Sequence, residues 1–200
     1  RLWFLAQVGG NSAVYNVPVT VELRGDLDRD ALAWALARVV ERHESLRTTF
    51  ESVDGAVCQR IHAARPFPLD EDDLSGVAAG DLPAARDAAL AASAAAPFDL
   101  AHGPLLRARL VRLARDHHLL VIVIHHIVCD GWSLAVLARE LETLYSARRR
   151  GEADPLPPLP VQYADYAVWL EQRLSGERLV REAAHWRETL SGAPPLLELP

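Results

Sequence analysis

The sequence contains no methionine, not even at position 1, and only two cysteines, Cys58 and Cys129. Two thiols so far apart exclude a disulfide scaffold and a thiolate metal cage. Basic residues are the scarcer charge, 21 against 27 acidic ones for a net −6, which argues against a general nucleic-acid binder. The apolar run Leu119 to Ile124, like every other in the sequence, falls far short of the ~18 residues that cross a bilayer. No basic-then-apolar leader opens the chain, so a cytoplasmic protein is expected, with neither membrane nor nucleic acid as partner. Aromatics are sparse at 6%, yet half of the 200 residues are hydrophobic, enough for one sizeable core. The chain opens on Arg-Leu-Trp-Phe-Leu and closes on Leu-Leu-Glu-Leu-Pro, and both ends read as cut from a longer polypeptide.

What is present is an alternation of strand and helix patterns. Val17, Val19, Val21 and Leu23 alternate with polar residues, a half-buried strand. A helix follows, with Asp26 or Asp28 as N-cap and an apolar stripe through Leu32, Ala35, Leu36, Val39, Val40 and His43. Leu46, Thr48 and Phe50 alternate next, Asp54-Gly55 signals a hairpin, and Val57 to Ile61 return. Residues 62–80 are acidic and carry prolines, and they read as loop. An alanine-rich helix over 83–96 stops at Pro97, and strands are expected at 105–113 and 117–124, the second apolar on both faces like a central strand. A turn at 125–131 leads into a helix striped by Leu134, Leu137, Ala138, Leu141 and Leu144. Its arginine-rich end, Arg148 to Arg150, reads as a solvated, dipole-favoured C-terminus. Residues 151–160, with four prolines, form a stiff connection to two final helices. The expected fold is α/β, a mixed sheet covered by helices, with one lobe over residues 1–150 and the connection and helices over 151–200.

Chemistry concentrates at His125-His126-Ile127-Val128-Cys129-Asp130-Gly131-Trp132-Ser133. Neighbouring strand residues point to opposite faces, so only one of His125 and His126 can face a given cavity. Gly131 would let backbone approach a ligand, and the amides that open the next helix are unpaired donors beside a positive dipole end. The remaining histidines, His43, His62, His102, His117, His118 and His185, read as structural or surface groups. A zinc site from His125, His126 and Asp130 is disfavoured because the histidines diverge and no His-Glu-x-x-His helix is present. A serine hydrolase lacks its Gly-x-Ser-x-Gly elbow. A Cys129 nucleophile beside His126 lacks a second orienting group.

The stretch from His125 to Ser133 resembles the HHxxxDG signature of condensation domains of nonribosomal peptide synthetases, of the chloramphenicol-acetyltransferase-like fold. Arg1 to Leu5 resembles the end of that family's first motif. Arg42-His-Glu-Ser-Leu-Arg-Thr-Thr-Phe50 is similar to its second, RHExLRTxF, and Tyr163 to Trp169 resembles its fourth. The motifs run in the family's order over nearly the whole chain. The resemblance implies the N-terminal lobe of a two-lobed domain with its active site in a tunnel between lobes. Without the second lobe, the 200 residues alone are expected to be inactive and prone to aggregate.

The reaction implied is attack by the amine of an acceptor aminoacyl thioester on a donor aminoacyl or peptidyl thioester, both carried on 4′-phosphopantetheine arms. The implied partners are donor and acceptor peptidyl carrier domains and an adenylation domain of the same megasynthetase; no bound cofactor and no metal are implied. His126 matches the catalytic position, as base or as positioner of the amine. His125 is read as structural and Gly131 with the following amides as oxyanion donors. Asp130 matches a structural aspartate expected to form an ion pair, with Arg47 preferred over Arg42. Trp132 is read as core, with tunnel lining by Trp132 and Ser133 as the alternative. Residues 11–18 and the intact second motif favour an L-configured donor. The rival readings are an epimerisation domain, a non-catalytic carrier-docking module and a stand-alone acyltransferase using coenzyme A.

Overall fold

The computed structural model describes residues 2–9, 13–194 and 196. Arg1 of the first motif and residues 10–12 lie outside them. Two compact units are present, one up to Pro160 and one from Val161 on.

In the first unit, a continuously apolar strand organises everything else. β6 (His117–His125) is buried from His118 onward, because a strand rich in Leu, Val and Ile on both faces needs cover on both. It pairs antiparallel with β1 (Asn16–Arg24) on one side and β5 (Leu106–Ala114) on the other. α2 (Arg29–Arg42) and α4 (Gly131–Arg149) cover one face, where Leu32, Leu36, Leu137 and Leu144 meet Leu120, Ile122 and Ile124. α3 (Leu82–Ala95) and α1 (Leu2–Gly9) meet the other, over Leu105, Val111, Val121 and Val123. Asp28 caps α2 by accepting from the Ala31 amide at 2.9 Å, which decides between the two candidate caps. Leu36 is fully buried, and truncating it to alanine would cost ~2–5 kcal/mol.

Three local expectations are corrected. The segment 62–80 is not all loop: Asp70–Asp73 forms β4, parallel to β5 at the sheet edge. Four acidic residues carry no apolar alternation; their side chains are matched across the backbone ladder by arginines, Arg109 reaching both Asp72 oxygens at 2.9 Å and Arg112 reaching Asp73 at 3.3 Å. β2 (Thr48–Val53) and β3 (Ala56–Ile61) form a separate two-stranded sheet rather than extending the main one. Asp54 and Gly55 both take positive φ, 52° and 80°, as a tight hairpin turn requires. β2 begins only at Thr48, because Glu44–Arg47 winds into a 3₁₀ turn.

The proline-rich stretch belongs to the first unit. Arg38 holds Asp154 at 2.9 Å, Arg42 donates to the Pro157 carbonyl, and Leu156 packs on the core. The second unit contains α5 (Tyr163–Arg173) and α6 (Gly176–Thr189). Along α5, Tyr166 stacks on Trp169 at 5.8 Å and Arg173 covers the Trp169 ring. No helix of the described residues is long and apolar enough to cross a membrane.

Candidate functional site

β6 ends where its two neighbours hold its backbone. The His125 amide donates to the Leu105 carbonyl at 3.0 Å, and the His126 amide donates to the Tyr15 carbonyl at 2.8 Å. The rings then part, as alternation demands. His125 is 3% exposed, lies 6.1 Å from Tyr15, and meets Phe98 edge-on at 6.0 Å. Its Nδ1 accepts the Ile127 amide at 3.1 Å, which leaves the ring proton on Nε2. Burial, and secondarily the charge of His126, push the His125 imidazole below the usual histidine range. His126 is exposed at the strand's rim.

The turn after them is packed by its thiol. Cys129 is buried and directs its S–H to the His125 carbonyl, at 3.7 Å. Burial, with Asp130 adding to it, pushes the thiol up to about 11, so Cys129 is a packing group and not a nucleophile.

Asp130 corrects the expected ion pair. Its carboxylate turns onto the helix it precedes, accepting the Ser133 amide at 2.8 Å and the Ser133 hydroxyl at 2.6 Å. The Ser133 hydroxyl accepts in turn from the Asp130 amide, which closes a capping box on α4. These bonds, with the Trp132 amide contributing, hold the Asp130 carboxyl below its usual range. A capping carboxylate also occupies amides that sequence reasoning offers to an oxyanion, leaving Gly131 the uncommitted donor among the described residues. A Cβ on Gly131 would meet nothing within 4 Å, and its φ is unexceptional, so no contact within this chain demands the glycine. Trp132, expected in the core, is 83% exposed beside this turn, and half-buried Ser133 is spent on the cap.

The second-motif arginines have other partners. Arg47 donates to the carbonyls of Glu41, at 3.3 Å, and of His62, and reaches Glu44 at 3.4 Å, tying the 3₁₀ turn to the end of the hairpin. Arg42 meets Glu140 of α4 at 3.1 Å, and His43 takes the other oxygen of the same carboxylate at 2.6 Å. Glu140 escapes the sequence reading although its signal is legible. It stands three residues after Leu137 and four before Leu144, on the buried stripe, where a carboxylate needs partners.

His62, His102 and His117 each contact one side chain, Thr49, Asp99 and Glu22 respectively. Among the described residues no group of His, Cys, Asp and Glu is placed to hold a metal ion. A cavity of about 740 Å³ opens between the β2–β3 hairpin and residues 101–108, walled by Leu46, Phe67 and Leu106; neither motif histidine lines it.

The site is thus a buried strand that ends in divergent histidines, followed by a capped helix. Family comparison names the class: the Condensation domain family matches residues 1–200, and the chain belongs to it. Its sequence is 46% identical over 200 residues to a component of the linear gramicidin synthase of Brevibacillus parabrevis, covering all of this chain and 4% of that protein. Malpibaldin synthetase of Mortierella alpina is 45% identical over 201 residues, again with 4% of its length covered. Phosphinothricin tripeptide synthetase PhsC of Streptomyces viridochromogenes is 41% identical, and 18% of it is covered. Among solved structures, the X-domain from teicoplanin biosynthesis is 36% identical with a TM-score of 0.84, over 99% of this chain and 43% of that one. That X-domain is also solved in complex with OxyB. The starter condensation domain of rhizomide synthetase RzmA, at 23% identity, shares the fold with a TM-score of 0.85, over 97% of this chain and 46% of that one.

Proposed function

We propose that this chain supplies the histidine-bearing half of a site that forms peptide bonds between carrier-bound thioesters in nonribosomal peptide synthesis. The observation that carries the proposal is the divergence at the end of β6. His125 is buried with its Nδ1 engaged, while His126 stands exposed on a backbone fixed by Tyr15. A neutral imidazole there takes the proton of the attacking amine or orients that amine by a hydrogen bond. The thioester is already activated, so positioning supplies much of the rate. Gly131 N–H is the donor for the oxygen that becomes negative. The substrates arrive on phosphopantetheine arms of donor and acceptor carrier domains, with an adenylation domain of the same synthetase loading them. Free thiols at Cys58 and Cys129 suit a cytoplasmic setting.

The test uses the synthetase module that contains this chain, with both carriers loaded and dipeptidyl thioester followed by intact-protein mass spectrometry in a single turnover. Dipeptide from wild type and none from folded His126→Ala supports the assignment. Equal product from both removes His126 from the chemistry. A second reading, a non-catalytic docking module, is favoured by the likeness to the teicoplanin X-domain, which is solved bound to OxyB. Loaded carriers that never yield dipeptide would favour it.

A further inference from the structure

Beneath His125, the turn that ends α3 is held by side chains from two different strands. Asn16, the first residue of β1, spends both Nδ2 hydrogens on this turn, donating to the Ala94 carbonyl at 2.7 Å and the Ala96 carbonyl at 2.8 Å. Arg107 of β5 donates to the carbonyls of Ala96 and of Pro97, the latter at 3.0 Å. The Arg107 guanidinium lies 3.9 Å from the centre of the Phe98 ring, and Phe98 sets its edge against His125. Asn16 also stands directly opposite His125 in the β1–β6 register.

The arrangement is costly for its members. Arg107 meets no carboxylate among the described residues, although burial disfavours its charge. Asn16 Oδ1 is buried with no hydrogen-bond partner. A helix end needs no such clamp for itself, since a frayed terminal carbonyl can bond to water. What the clamp does meet is the Phe98 ring, whose edge faces the His125 ring, and His125 Nδ1 in turn accepts the Ile127 amide.

We infer that Asn16 and Arg107 are positioning residues for the histidine pair: by clamping residues 94–98 they hold His125, and through its bond to Ile127 they set the direction in which His126 is presented. The inference rests on the role proposed for His126. Release of the clamp frees the His125 ring, the Ile127 amide loses its acceptor, and the backbone at His126 gains freedom. A reacting group displaced by about 1 Å loses on the order of 100-fold in rate.

The test compares wild type, Asn16→Ala, Arg107→Ala and Arg107→Lys in the synthetase module by single-turnover dipeptide formation. ¹⁵N spectra of selectively labelled histidine rings in the same module give a second readout. The expected result is a rate lowered roughly ten- to 100-fold in both alanine variants, with unchanged dependence on acceptor concentration and partial recovery in Arg107→Lys. The His125 signal should change from a single tautomer to a mixture. Folded Asn16→Ala with wild-type rate and an unchanged His125 signal overturns the inference. Should Asn16→Ala not fold, Arg107→Lys decides on the same two readouts. If wild type itself yields no dipeptide, the proposed function fails, and the tautomer readout still decides whether the clamp holds His125.

Discussion

His125 excludes a proton that its unfolded counterpart accepts. Its folded pKa is depressed by burial, so its contribution to stability is complete above the unfolded value of ~6.5 and is lost as pH falls through the folded value. His118, also depressed chiefly by burial, acts in the same direction. Urea midpoints should therefore drop between about pH 7.5 and 5.5, and His125→Phe should flatten part of that slope. An identical slope in the variant would show that the ring's burial is not felt. The two thiols differ just as plainly. Iodoacetamide at neutral pH should label exposed Cys58 in the native chain and reach Cys129 only after denaturation, read as one and then two mass adducts.

At the scale of elements, one carboxylate caps and another clamps. Asp130→Ala removes the α4 cap and should cost about 1 kcal/mol in chemical denaturation. A buried Asp130–Arg47 pair would instead have cost ~3–5 kcal/mol, so the measured value separates the two arrangements. Glu140→Ala should be the damaging change, ~3–5 kcal/mol, because it takes the buried carboxylate away from Arg42, whose side chain is only 14% exposed, and from His43 at the same time. Periodicity makes β1, α2, β5 and α4 legible, since each displays an apolar face of the right period, and β6 is legible as an unbroken apolar run that needs cover on both faces. β4 is illegible because its partners are arginines on a distant strand, and pairing across strands leaves no local pattern. Asp130 is ambiguous for a related reason: a carboxylate before a helix serves equally as cap or as ion-pair partner, and only tertiary placement decides. Trp132 reads as core on size alone, which the first turn of α4 contradicts. The divergence of His125 and His126, by contrast, follows from strand geometry and is readable outright.

For the whole molecule, exposed aromatics set the solution behaviour. Trp132 in the first unit and Trp169 and Trp186 in the second are each at least half exposed, and Leu179 and Val180 of the second unit are exposed as well. Sedimentation velocity on the 200-residue chain should show an average mass that rises with concentration; a single monomeric boundary throughout would contradict this. The sheet itself has an order of assembly written into it. β1 is among the first segments of this chain to leave a ribosome, yet its partner β6 lies about a hundred residues further along, and Asn16 meets His125 only when that length has emerged. At ~5–20 residues per second, the strand spends several seconds or more without its mate. β1 is therefore a segment that a chaperone has reason to hold, and a slowly translated message would lengthen the interval in which it needs holding.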